Sequence, residues 1–215
     1  DEEDAKTAFQ RHATSKLLDE NDLYRINTLG FRGEALPSIA SVSKVELVTS
    51  KGLLGTRVKI NGGNFESIER AEARRGTSIA VRNLFYNTPA RLKHLSSMQA
   101  ELMTVADYVD KIALSHPNIR FVLTNNGSTM LNTDGKGDLL KTINSVFGIN
   151  VARNMIKIET EDRDYKVMGY ISKPEINRTT KNHMITLVNG RVVRNSSINR
   201  AINDSYHTYK PDNRY

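Results

Sequence analysis

The 215 residues carry 31 Lys and Arg against 24 Asp and Glu, a formal charge of +7, with 38% hydrophobic residues, 7% aromatic residues and no Cys. That length holds one large domain or two small ones, and the charge favours a polyanionic partner without naming it. Disulfides, thiolate nucleophiles and Cys-based zinc sites are excluded; the five His are scattered without an H-x-x-x-H pair, so no metal site is expected.

No apolar run approaches the roughly 18–20 residues of a membrane span, and the first residues, Asp1-Glu2-Glu3-Asp4, are the opposite of the basic start of a signal peptide. A cytoplasmic location is expected, at the nucleoid if the source is bacterial. The chain starts without Met and ends on Asp212-Asn213-Arg214-Tyr215, which reads as a piece of something longer.

Along the chain, residues 3–12 read as a short helix with Ala5, Ala8 and Phe9 on one face and acids at its positive end. A polar stretch from Ala13 to Asn27 leads to Leu29-Gly30-Phe31-Arg32-Gly33, and a helix is predicted from Glu34 to about Ser41, with Pro37 tolerated near its first turn. Strand-like runs follow at 44–49, 56–60, 65–68 and 77–82, two of them joined by the hairpin signal Asn61-Gly62-Gly63-Asn64.

Asn87-Thr88-Pro89 marks a helix start, with Thr88 placed to cap it. A second start at Ser96, with Gln99 completing a capping box, opens a long helix whose Met98, Leu102, Val105, Val109 and Ile112 form one apolar stripe expected to be buried. His116-Pro117 closes it, and 119–124 with 128–131 flank Asn125-Asn126-Gly127 as a hairpin. Asp134-Gly135-Lys136-Gly137 is the expected domain boundary. Beyond it come a helix at 139–147, strands at 155–159 and 166–172, a hairpin over 185–193 turning at Asn189-Gly190, and a helix near Ser197. Two α+β layers result.

Four stretches could carry chemistry, one of which, Asn83-Leu84-Phe85-Tyr86-Asn87-Thr88-Pro89-Ala90-Arg91, is explained mostly by its caps and its apolar Leu84-Phe85 pair. In Gly30-Phe31-Arg32-Gly33-Glu34-Ala35-Leu36 the glycines allow a tight turn of exposed amides, and the positive end of the following helix points the same way. Phosphate binding and a plain helix lead-in both remain open. Thr14-Ser15-Lys16 offers two hydroxyls and an ammonium for phosphate oxygens, or is a solvated loop. Between Ile176 and Asn203 there is no Asp or Glu, while Arg178, Lys181, Arg191, Arg194 and Arg200 stand there. Such clustering grips a duplex backbone without reading bases, or is a solvated face. No Ser/His/Asp set has a spacing argument.

Taken in order, Arg11-His12-Ala13-Thr14-Ser15-Lys16, the Gly30–Leu36 string, Leu84-Phe85-Tyr86-Asn87-Thr88-Pro89-Ala90-Arg91 and Val188-Asn189-Gly190-Arg191 resemble the MutL family of DNA mismatch-repair proteins over essentially the whole chain. The resemblance implies an α+β fold. Residues 1–134 would be an incomplete ATP-binding domain, an α/β sandwich of the gyrase, Hsp90 and histidine-kinase type. Residues 137–215 would be part of a ribosomal-protein-like second domain that relays nucleotide state and helps form a DNA groove. Arg32, Gly33, Glu34, Ala35 and Leu36 would wrap the ATP phosphates; Thr14, Ser15 and Lys16 would line the same site; Thr77, after Gly76, would lie near the adenine. The basic interval then becomes a DNA-binding face.

The full-length protein would be an ATPase using ATP and magnesium. It would form a homodimer through its N-terminal region, bind DNA with little sequence preference, and couple MutS to downstream repair factors. The family's water-activating Glu, its magnesium-holding Asn, its Asp-Gly-x-Gly adenine loop and its γ-phosphate Lys have no counterpart in these residues. No catalytic residue is therefore assigned, and the 215 residues alone are expected to be inactive, to bind nucleotide weakly at most, and to self-associate through bare apolar surface. The reading from residues alone stays beside this one: a basic nucleic-acid-binding module without nucleotide chemistry.

Overall fold

The structure, a computed structural model, describes residues 1–16, 28–211 and 213–215. Most of the polar stretch expected up to Asn27 lies outside the described residues, as does Asp212. The chain divides into two compact units, Asp1–Ser97 and Met98–Tyr215. The expected boundary at 134–137 falls inside the second of them, in the loop after its first β-hairpin. No helix among the described residues is long and apolar enough to cross a membrane.

In the first unit, α1 (Glu2–Thr7) starts on a capping box: the Asp1 carboxylate accepts from the Asp4 amide at 2.9 Å, and the Asp4 carboxylate accepts from the Asp1 amino group at 3.2 Å. The helix is shorter than the 3–12 expected: after Ala8 the bonds tighten to i−3 turns, Phe9 to Lys6 and Gln10 to Thr7, and the chain reaches φ +63° at His12. α2 (Ala35–Ser41) accommodates Pro37 at its third position, where the missing amide has no partner to lose.

β1 (Lys44–Ser50), β2 (Gly55–Asn61), β3 (Asn64–Ala71) and β4 (Gly76–Arg82) form one antiparallel sheet in the order β3-β2-β1-β4. The β2–β3 turn is of the type the sequence signals, with positive φ at both Gly62 and Gly63. Register then fixes the core. Val45 lies opposite Ile60 and Leu47 opposite Val58, and Ala5, Phe9 and Ala40 close over these four buried side chains. The same face continues onto β4, where Val81 and Ile79 lie opposite Val45 and Leu47 yet stay 44% and 45% exposed. α1 rests on β2, and α2 on β1 and β2, so among the described residues the β4 end of the face is the less covered.

α3 (Pro89–Lys93) begins with Pro at its first position as expected, but Thr88 makes no side-chain cap; its hydroxyl points back to the Phe85 carbonyl at 3.4 Å.

The second unit opens with α4 (Met98–Ser115), one residue later than a cap at Ser96 implies. Its apolar stripe is not buried along its length: Met98 is 88% and Val105 51% exposed, while Ala113 and Leu114 at the far end are covered. α4 meets α5 (Leu139–Phe147) and β10 (Arg191–Val193). There Leu114 joins Ile143, Ala152, Leu140, Phe147 and Tyr170 in this unit's core. The remaining elements are β5 (Val122–Asn125), β6 (Ser128–Asn132), α6 (Ile149–Ala152), β7 (Met155–Glu161), β8 (Lys166–Ser172), β9 (Thr186–Val188) and α7 (Ser196–Ser205), with strands paired as three two-stranded antiparallel ribbons. Asp138 caps α5 through a bond from the Lys141 amide at 3.1 Å.

One carboxylate of α4 opposes folding. Asp107 is bonded to Lys111 at 2.5 Å, and Asp110 beside it is held above the ordinary carboxyl range, first by desolvation and then by repulsion from Asp107, against the pull of Lys111. A carboxyl whose folded pKa is raised favours the fold while protonated, and that contribution is lost as pH rises through the folded value. Asp110→Asn is therefore expected to raise the thermal midpoint of the second unit at pH 7, with the gain fading below about pH 4, where Asp is protonated in both states. A gain of equal size at pH 3 in a melting series would contradict this cause.

Candidate functional site

The glycine loop and the residues after α1 come together. Gly33 holds φ +63°, and a Cβ on it would stand 2.3 Å from the Ala13 carbonyl oxygen, so only glycine lets the loop lie against Ala13. His12 Nδ1 and Glu34 Oε1 are 3.1 Å apart across the same junction. The Thr14 hydroxyl accepts from the Lys16 amide at 3.1 Å, which fixes the turn behind it. Between the segments lies a cavity of about 420 Å³ lined by His12, Thr14, Phe31, Arg32 and Glu34.

Its electrostatics are mixed. The Arg32 guanidinium lies 5.5 Å from the Phe31 ring centroid, where the ring supports its charge. The Glu34 carboxylate is engaged by His12 and makes no cap bond to α2. Arg32 brings the positive charge to a wall that also carries the Glu34 carboxylate.

Of the residues assigned to the nucleotide site, Thr14, Arg32 and Glu34 line the cavity and Gly33 shapes it. Ser15 and Lys16 are exposed and outside the lining; Ala35 opens α2, and the Leu36 side chain packs on the core, leaving its amide as the group to offer. Thr77 stands apart on β4, its hydroxyl 2.8 Å from that of Thr49 on β1. His12 and Phe31 were not assigned, although both fall within the strings that carry the family resemblance.

The basic interval lies in the second unit. Arg178 and Tyr215 exchange backbone hydrogen bonds at 2.7 and 2.8 Å. Lys181, at the head of a 3₁₀ turn over Lys181–His183, holds its ammonium 4.9 Å from the Tyr215 ring centroid. The β9–β10 turn has positive φ at Asn189 and Gly190, and Asn195 caps α7 by accepting from the Ser197 and Ile198 amides at 2.9 and 3.1 Å. Arg191, on β10, is half-buried opposite Val188, and Arg194, just past the strand, is exposed. Among the described residues Arg178, Lys181, Arg194 and Arg200 form no ion pair. Of these, Arg178 reaches His183, whose imidazole is held below its ordinary range first by desolvation and then by the Arg178 charge, against the pull of Asp107.

The family described as DNA mismatch repair protein, C-terminal domain, matches residues 143–215. The DNA mismatch repair protein MutL of Geobacillus thermodenitrificans is 52% identical over 216 residues, covering 100% of this chain and 34% of that protein. Its namesake in Bacillus mycoides is 50% identical over 215 residues, covering 100% of this chain and 33% of that protein. The chain thus spans about a third of the length of these curated relatives.

Among solved structures, the N-terminal domain of a DNA repair protein aligns with a TM-score of 0.75 at 24% identity, over 96% of this chain and 66% of that one. The Aquifex aeolicus MutL ATPase domain complexed with ADP aligns with a TM-score of 0.64 at 23% identity, over 87% of this chain and 71% of that one. At these identities the likeness defines the fold, α/β with antiparallel sheets.

Proposed function

Since the chain belongs to the MutL family of DNA mismatch-repair proteins, we propose that it forms the phosphate-gripping part of an ATP-switched repair matchmaker and one of its DNA-facing surfaces. The observation that carries this reading is the approach of Gly33 to Ala13, beside a cavity lined by His12 and Thr14 from one segment and Phe31, Arg32 and Glu34 from the other.

In this reading the amides of Gly33, Glu34, Ala35 and Leu36 receive phosphate oxygens, with Arg32 supplying charge and the Thr14, Ser15 and Lys16 turn completing the wall. Thr77, remote from the cavity lining, faces the base. Magnesium, where bound, spreads the charge on the phosphates. Hydrolysis needs a base, an ordered water and a cation, and no residue here matches the family's Glu and Asn. ATP turnover is assigned to the full-length protein and not to these 215 residues alone. A domain boundary near 134–137, a ribosomal-protein-like second domain, dimerisation, MutS as a partner and a cytoplasmic location complete the proposal.

The test is amide chemical-shift mapping with a non-hydrolysable ATP analogue and magnesium, on the chain and on a protein of its relatives' full length. Shifts at residues 30–36 and at Thr14 are expected in the long form. Shifts confined to other residues would overturn the nucleotide reading. What would then stand is the basic module without nucleotide chemistry, which the acid-free interval from Ile176 to Asn203 favours.

A further inference from the structure

We propose that the turn Asn83–Thr88 positions the glycine loop from behind, by fastening the far end of α2; the inference rests on the nucleotide reading only for its consequence in binding. The turn is strained. Asn83 holds φ +55° and Phe85 φ +64°, and for a residue as bulky as Phe that region is a genuine outlier that survives only where the surroundings over-determine it.

The surroundings do so here. The Phe85 amide donates to the Val42 carbonyl at 2.7 Å, and the Asn87 side-chain amide donates to the Ser41 carbonyl at 2.9 Å. The Tyr86 hydroxyl donates to the Asn61 side chain at 2.5 Å, and the Tyr86 amide to the Asn83 carbonyl at 3.1 Å. Two of these bonds end on the last carbonyls of α2, which have no partner within the helix. The third ties the turn to the β2–β3 hairpin, where a Cβ on Gly62 would come within 2.9 Å of the Tyr86 hydroxyl. The hairpin in turn holds the same helix end: the Gly62 amide donates to the Ser43 carbonyl at 3.1 Å, and the Ser43 hydroxyl donates to the Ile39 carbonyl at 2.6 Å.

α2 has seven residues, about 10 Å of rigid rod. Its front end is Ala35, where the glycine loop joins, and among the described residues its deep anchors are Ala40 in the core and Leu36 against it. A rod so lightly buried is aimed by its ends. One end is the loop that must meet a ligand; the other is gripped by Phe85, Tyr86 and Asn87. These are positioning residues, since none of them lines the cavity.

The test is hydrogen exchange on Asn87→Ala and Tyr86→Phe, both exposed and outside the core. Each loses one hydrogen bond, so exchange over residues 34–41 is expected to rise about fivefold in the absence of nucleotide. The amides of Val45, Leu47, Val58 and Ile60 and the thermal midpoint should hold. Affinity of the full-length protein for the ATP analogue should fall by a similar factor. Unchanged exchange at 34–41, or a rise spread evenly through the sheet, would overturn the proposal. If the wild-type protein binds no analogue while exchange rises locally, the nucleotide reading fails and the positioning role stands.

Discussion

Gly33→Ala is expected to lower affinity for an ATP analogue at least tenfold while leaving the first unit folded, and Gly55→Ala to do the reverse. Both added methyls would meet a backbone oxygen at 2.3 Å, Ala13 for one and Glu72 for the other. What differs is the means of escape. Gly33 sits in an exposed segment at φ +63°, where an L-residue costs about 1–2 kcal/mol. That strain and the clash are relieved together if the loop lifts off Ala13, and lifting opens the wall that Gly33 shapes. Gly55 begins β2, paired with Ser50 on one side and Ala71 on the other, and its methyl would also stand 2.9 Å from the Ala71 carbonyl oxygen. A central strand cannot lift without unpairing, so overpacking of about 3 kcal/mol appears as lost stability. Melting curves and analogue titrations on the two variants separate these outcomes. A collapse in midpoint for Gly33→Ala would mean that the loop is structural rather than receptive.

The parts legible in the sequence share one property: their cause is local. Gly62-Gly63, Asn126-Gly127 and Asn189-Gly190 all take the positive φ pairs their turns require, and the strands on either side pair as the turns dictate. The helices expected at 139–147 and near Ser197 are present, and the structure adds their caps, Asp138 and Asn195. A period states which residues share a face, not what covers it. Met98 and Val105 share the α4 stripe expected to be buried and are exposed, and Ile79 and Val81 continue the core face onto β4 and are half exposed. The candidate site was legible as motif strings and not as geometry. His12 meets Glu34 across residues that no periodicity relates, and Asn87 reaches Ser41 over a separation of 46 residues. Thr88 shows the limit within a single turn: its sequence position is that of a cap, yet the strained backbone at Phe85 turns its hydroxyl elsewhere.

Replacing Lys181, Arg194 and Arg200 together by Glu is expected to weaken duplex DNA binding about a hundredfold at 0.1 M salt, and to reduce the slope of log affinity against log salt by about 2.7, each phosphate contact contributing about 0.9. These three were chosen because they are exposed and no ion pair among the described residues neutralises them, so their charge is available to an incoming phosphate. Arg191 is left in place. It is half-buried and engaged, so its loss would mix packing with charge and blur the slope. Lys181 starts a 3₁₀ turn, Arg194 follows β10, and Arg200 rides on a helix capped by Asn195, so reversal should leave the backbone bonds of all three elements intact. Binding should fall by the same factor on unrelated duplex sequences, because cations on exposed element ends meet phosphates rather than base edges. A slope that stays put in a salt titration, with affinity unchanged, would assign the acid-free interval to solvent; a loss that depends on sequence would mean base contacts and a different docking of this face.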